Sequence, residues 1–314
     1  MAIGLVAGAC GDDDEATTTD ATPTALASPT ATSEPTATPA PPTNTPVPPT
    51  ATPAPPTSTP APSATPAGET VVNVYWAWTI PTTPGGSPER VAASTRVVPA
   101  FTPIRGALEA LLAGTKGIET EIDMISAIPA GTELLDLNVA DGVATVDLSG
   151  AFEESGGTLG ESLRLAQVVF TVTQFPEVER VFFRIDGEDR DVIMSHGFDV
   201  SGGVTRADAG DVRPAILLES PAPGAAIASP VTLRGEANTF EATLEYNLVD
   251  PEGLIIAEGF TTATAGSGTW GTFAVDVEFT STRTGLGAVI VFERSAADGS
   301  LINVVDYPVQ MTAS

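Results

Sequence analysis

Val139-Ala-Asp-Gly-Val-Ala-Thr-Val-Asp-Leu148 reads as a β-hairpin, and it decides the fold of the first packed region. Asp141-Gly142 supplies a two-residue turn whose backbone twist matches that of the flanking strands. Beyond it Ala144, Val146 and Leu148 alternate with Val143, Thr145 and Asp147, one apolar face against one polar face. Upstream, Val71–Trp78 (V-V-N-V-Y-W-A-W) is rich in β-branched and aromatic residues and reads as a strand. Thr102 is placed to cap a helix with Pro103 at its first position, and Ile104, Leu108, Leu111 and Leu112 follow at helical spacing before Gly114. Downstream, Thr158-Leu-Gly-Glu161 has the form of a capping box that opens a helix running to Phe175, where Pro176 stops it. Val178–Asp186, a turn at Gly187 and Asp191–His196 give another hairpin. The resulting order, β-α-β-β-α-β-β over residues 71–200, describes an α+β domain with helices on one face of a sheet.

Residues 212–314 contain no helical pattern. Seven short apolar runs, Ala215–Glu219, Val231–Glu236, Thr243–Val249, Ile255–Thr261, Thr272–Phe279, Ala288–Glu293 and Asn303–Val309, are separated by turn residues, as in a β-sandwich. Trp270 and Phe273 are expected to pack in its core or a turn.

The first seventy residues have a different character. Residues 11–70 are dominated by Pro, Thr, Ala and Ser, with near-repeats such as T-A-T-P-A-P-P-T at 36–43 and A-T-P-A-P-P-T at 51–57. Proline fixes φ and removes a donor, so this tract forms neither helix nor sheet and is expected to sample extended polyproline II. At about 3.1 Å per residue, about 45 such residues reach roughly 140 Å when fully extended. Ahead of it, Ala7, Gly8, Ala9 and Cys10 resemble a bacterial lipobox, with Cys10 as the lipid attachment site, although Ala7 stands where that motif usually has Leu. The apolar run of residues 1–10 is short for a signal peptide and lacks a positive start, so the translation start is expected upstream. Cys10 is the one cysteine, which excludes intramolecular disulfides.

Composition limits the chemistry. Forty Asp and Glu face 13 Lys and Arg, so no basic surface exists to neutralise phosphates and nucleic acid is not an expected partner. The one histidine, His196, cannot build a zinc site with so few His and Cys companions, and Cys10 lies in the anchor, away from it. The run Asp186-Gly-Glu-Asp-Arg-Asp191 lacks the spacing and closing Glu of a calcium loop and reads as a solvated hairpin turn. Asp147, Glu153, Glu154 and Asp186 leave open a carboxylate pair of the glycosidase kind, without a motif that favours it. No catalytic residue, cofactor or metal site is assigned.

Three blocks carry a family resemblance: T-P-I-R-G-A-L-E-A-L-L-A-G from Thr102, I-P-A-G-T-E-L-L-D-L-N-V-A-D-G-V-A-T-V-D-L-S-G-A-F from Ile128, and A-Q-V-V-F-T-V-T-Q-F-P-E-V-E-R-V-F-F-R-I-D-G from Ala166. They resemble the GerM-type sporulation and spore germination domain. The blocks S-P-A-P-G, S-P-V-T-L-R-G-E-A-N-T-F-E-A, G-T-W-G-T-F and V-F-E-R-S-A-A-D-G resemble the immunoglobulin-like domain often appended to it. The resemblance implies a ring-building-motif-like α+β fold, an envelope location and a scaffolding or assembly role. The expectation is therefore an exported lipoprotein on the outer face of the cytoplasmic membrane, acting as a non-catalytic binding or assembly module. Its expected partners are the membrane, through the lipid, and an envelope protein, a cell-wall polymer or a second copy of the chain. A carboxylate-dependent cell-wall carbohydrate hydrolase is the alternative.

Overall fold

The computed structural model describes residues 68–79 and 89–313. Cys10 and the Pro/Thr tract up to residue 67 lie outside the described residues. The described residues form one compact unit.

Strand β1 (Glu69–Trp78) pairs antiparallel with β2 (Arg90–Pro99) along its whole length. The apolar pattern did not announce β2, and the reason lies in its inward positions. Ser94 and Arg96 are buried there, at 3% and 8% exposure, where a strand normally shows apolar residues. They are tolerated because buried Glu119 accepts hydrogen bonds from both side chains. After β2 come α1 (Pro103–Leu112) and a single turn, α2 (Ile118–Glu121). Then β3 (Met124–Ile125) joins the other side of β1, giving the order β2-β1-β3.

The hairpin around Asp141-Gly142 forms as its sequence indicates. β4 (Leu134–Ala140) and β5 (Gly142–Leu148) are antiparallel, and Asp141 and Gly142 sit at φ 52° and 81°, the left-handed pair that such a turn requires. Next follow α3 (Gly157–Val172) and β6 (Val178–Ile185), which runs parallel to β5. Parallel neighbours need a crossover connection, and α3 is that connection. β7 (Glu188–Asp189) completes the order β4-β5-β6-β7, while β8 (Val192–Ile193) and β9 (Phe198–Asp199) form a small separate ribbon. Both α1 and α3 pack on β1 and on each other.

Helix α3 corrects the expected capping box. Its first residue is Gly157, Gly156 occupies the N-cap without a side-chain cap bond, and Thr158 is an exposed residue inside the first turn. Glu161 is taken by donors more than thirty residues away. The helix also ends at Val172, ahead of the expected Phe175. There Gln174 leaves the helical path, and its side-chain amide brackets the backbone of Asn73 in β1 as a strand would, at 2.7 Å in both directions.

The remaining chain is all strand: β10 (Ile216–Ser220), β11 (Ala226–Ile227), β12 (Val231–Ala237), β13 (Thr243–Val249), β14 (Ile255–Thr262), β15 (Gly271–Val277), β16 (Gly285–Arg294) and β17 (Leu301–Met311). They form two sheets, β10-β12-β15 and β11-β17-β16-β13-β14, an immunoglobulin-like sandwich. Alternation places Val231 and Leu233 of β12, and Leu244 and Leu248 of β13, inside. Phe273 is buried as expected, while Trp270 is only partly covered.

One hydrophobic core runs without a break from β1 to β17. Trp78 of β1 and Tyr307 of β17 are both buried and lie with ring centroids 5.7 Å apart, so aromatic packing continues from the α+β half into the sandwich.

Candidate functional site

Two polar constellations lie inside this frame. The first centres on Glu161, which α3 carries inward and which has no solvent exposure. Its carboxylate accepts from the Ser195 hydroxyl, from the backbone N–H of His196 at 3.0 Å and from the His196 ring Nδ1 at 2.8 Å. The Gly156 N–H adds a fourth bond at 3.3 Å. Burial pushes Glu161 upward, but the donors from Ser195, His196 and Gly156 outweigh it and hold its pKa at about 2. A carboxylate in that range only accepts, so His196 is the Nδ1–H tautomer in this contact.

The arrangement differs from a Ser-His-acid triad. There the acid holds Nδ1 and the hydroxyl faces Nε2. Here both Glu161 and the Ser195 hydroxyl, 3.3 Å away, sit at Nδ1, and the serine proton goes to Glu161. What this geometry does is fasten the 194–197 turn to the start of α3. Glu161→Gln leaves donors of Ser195 and His196 without a charged acceptor and is expected to cost roughly 2–4 kcal/mol, read from denaturant unfolding. The pH sign follows from the lowered pKa. The contribution is fully present above about pH 4.5 and is lost as pH falls toward 2, so the Gln variant should lack that acid limb.

Three of the four carboxylates that left a hydrolytic pair open, Asp147, Glu153 and Asp186, are engaged in the fold. Asp147 is buried and accepts from the Gly187 N–H at 3.0 Å, and Asp186 accepts from the Gly150 N–H at 3.0 Å. Together they bind the two turns that flank β5 and β6. Glu153 accepts from the Met194 N–H at 3.4 Å and lies 3.8 Å from Arg190. Glu154 contributes its backbone carbonyl to Arg164 at 2.6 Å. In the Asp186–Asp191 run, Glu188 and Asp189 pair with Arg190 and Arg184. No group of three or more His, Cys, Asp and Glu suited to a metal ion occurs among the described residues.

The second constellation joins the α+β half to the sandwich. Arg206 lies between them, and its guanidinium donates to Glu219 at 3.0 Å, Glu236 at 2.6 Å, the Tyr75 hydroxyl at 3.0 Å and Thr173 at 3.1 Å. Tyr75, fully buried in β1, donates in turn to Glu219 of β10. Arg213 completes the cluster with Glu236 at 2.7 Å and the Arg206 carbonyl at 2.8 Å. Its guanidinium stacks 3.8 Å from the Trp270 ring, and Phe170 of α3 lies under both arginines. Burial pushes the Tyr75 hydroxyl up. Burial also disfavours the charged Arg206, yet Tyr75, Glu219 and Glu236 more than compensate and raise its pKa. Above this cluster opens a polar cleft of about 420 Å³, lined by Asn73, Gln174, Arg234 and the two glutamates.

The family described as "Sporulation and spore germination" matches residues 73–191, and the "Immunoglobulin-like domain of bacterial spore germination" matches residues 215–300. This chain carries the spore germination domain pair. Similar solved structures include the tandem GerMN domains of the sporulation protein GerM from Bacillus subtilis, at 19% identity and TM-score 0.37, covering 67% of this chain and 62% of that one. The first GerMN domain of the same protein is 24% identical with TM-score 0.36, over 44% of this chain and 99% of that one. A crystal structure described as a presumed lipoprotein from Clostridium perfringens is 20% identical with TM-score 0.32, over 46% and 93%. No curated protein matches the chain.

Within the germination pair, Tyr75 and Phe170 belong to the first matched span and Glu219 and Glu236 to the second. Arg206 and Arg213 fall between the two matched spans; the sequence reading left Arg206 in a connector and put Arg213 at the very start of the second domain. A signal was present there. In a chain with 40 acidic and 13 basic residues, two arginines seven positions apart between the matched spans have an excess of carboxylates to meet. Pattern reading for a core looks at apolar residues and passes over them.

Proposed function

We propose that this protein is a non-catalytic binding and assembly module of the bacterial envelope, tethered by a lipid on Cys10 at the outer face of the cytoplasmic membrane. The observation that carries the reading is the domain pair of spore germination type, packed on one core and joined through Arg206. A module that transmits position rather than performing a reaction needs two faces in fixed relation, and a shared core with a buried ionic junction supplies that. The carboxylates and the histidine of the first domain hold turns together, which fits the same role. The Pro/Thr tract supplies the reach between a lipid and the folded pair.

The anchor has a direct test. Cys10→Ser in the full-length gene should abolish labelling by an acyl-chain probe and move the protein from the membrane pellet to the soluble exported fraction. Unchanged fractionation overturns the lipid-anchored reading. Release of muropeptides from purified cell wall, lost when one of Asp147, Glu153, Glu154 or Asp186 is made the amide, overturns the non-catalytic one.

A further inference from the structure

Strand β14 places its side chains the wrong way round for a strand whose task is to complete a core. Its inward residues are small: Ala257 lies opposite buried Leu248, and Gly259 lies over Tyr246, where a Cβ would come within 2.5 Å of the phenol oxygen. Two of its three large apolar residues face outward, Phe260 at 69% exposure and Ile255, while Ile256 is half-buried against the core. Burying apolar surface is the main gain in folding, so a strand shaped by folding alone would put Phe and Ile inside and the small residues out.

The edge is also undefended. β14 is the outermost strand of the five-stranded sheet, and its eight residues contain neither Lys nor Pro. Its one register irregularity lies at the first pair. Exposed edges are commonly blunted by Lys, Pro, bulges or brevity, because unpaired backbone groups template another strand. Other described edges carry such devices, β15 excepted. β7 and β11 are two residues long, β4 has a bulge and Asp136 beside Arg105, and β2 lies against β10. Beside β14 the outer face of the sheet forms a groove of about 760 Å³, with buried Phe292 and exposed Leu301 among its lining.

The charges of that groove select the occupant. Glu245 and Glu258 line it against one guanidinium, Arg294, which is bonded to Glu245 at 2.8 Å. Glu258 is exposed on the same side as Phe260. With a net charge of −27, a second copy of the chain is repelled from this face. We infer that the free edge of β14 binds an extended segment of a partner protein, added to the sheet as a sixth strand, whose every second residue, on the face shared with Phe260 and Glu258, is in turn apolar and basic. Backbone pairing to Ile255–Thr262 supplies affinity, Phe260 meets an apolar side chain, and Glu258, two residues away on the same face, meets a Lys or Arg.

The inference deepens the assembly reading and rests on it, so the test must separate the two. A fluorescent, acetylated nine-residue peptide, Val-Thr-Lys-Thr-Val-Thr-Lys-Thr-Val, which puts Val and Lys on one face, is titrated into the full-length protein by anisotropy, with amide hydrogen exchange followed in β14. Saturable binding, slowed exchange across Ile255–Thr262, and a loss of about tenfold on Phe260→Ser are expected, the size of one apolar hot-spot contact. Glu258→Gln should weaken binding and reduce its salt dependence. A peptide of the same sequence with every backbone nitrogen methylated should bind at least about tenfold more weakly, because neither of its edges can donate to a strand. Equal binding of the methylated peptide, indifference to Phe260→Ser, or self-association of the chain through this face each overturns the inference. Phe260 is exposed, so its replacement leaves the core intact. Failure here with membrane release by Cys10→Ser preserved refutes the strand-addition site alone.

Discussion

Arg206→Met is expected to lower stability by about 3–5 kcal/mol and to divide one unfolding transition into two. The substitution removes the cation between Glu219 and Glu236, so that Glu219 keeps only the Tyr75 hydroxyl while Glu236 is left to Arg213. Taking one partner from a buried ionic cluster costs that much because the remaining charges stay desolvated and uncompensated. For about 240 folded residues the loss corresponds to roughly 10 °C in Tm. The splitting is the more telling readout. The wild-type halves share a core through Trp78 and Tyr307, so calorimetry should show a single transition, and Arg206→Met should let the sandwich and the α+β half melt separately. A variant that melts in one transition within about 1 °C of wild type would remove Arg206 as the element that joins them.

Arg96→Met is the second large effect. Arg96 meets Glu119 with two nitrogens, one at 2.6 Å from Oε2, beneath the loop that carries α2. Ser94 and the Lys116 N–H complete the acceptor sites of Glu119. Burial pushes Glu119 up, and these donors, led by Arg96, hold it below the usual carboxylate range. Removing the arginine strands the carboxylate, so a loss of about 3–5 kcal/mol is expected in denaturant unfolding. Arg96→Met combined with Glu119→Met should recover most of that loss, because both buried charges are gone and the space is filled. With the wild-type pair, the lowered pKa makes this contribution present above the normal Glu range and lost as pH falls through the folded value. Full destabilisation of the double variant would show that packing rather than charge sets the position.

The hairpin at Asp141-Gly142 and the seven strands after residue 212 were legible because two local rules act together there. Alternation marks the faces, and turn residues mark the ends. β2 was not legible, since its alternation is carried by Ser94 and Arg96, whose burial depends on a glutamate more than twenty positions away. The capping box at Thr158 satisfied a local pattern and lost to tertiary donors. Three hydrogen bonds from Ser195 and His196 outweigh the single backbone contact, to the Gly156 N–H, that Glu161 makes at the helix start. His196 itself could be named from the sequence, but not the buried carboxylate that it meets.

The sequence by itself determined the domain pair, the hairpin that organises the first half and the sandwich of the second, because each rests on periodicity and turn chemistry within a few residues. The tertiary structure alone decided that the halves share one core, that Arg206 and Arg213 form their junction, and that β14 turns Phe260 to solvent. Each of these depends on which distant groups burial brings together. Desolvation makes a charge tolerable only beside its partner, and no local pattern records where that partner is.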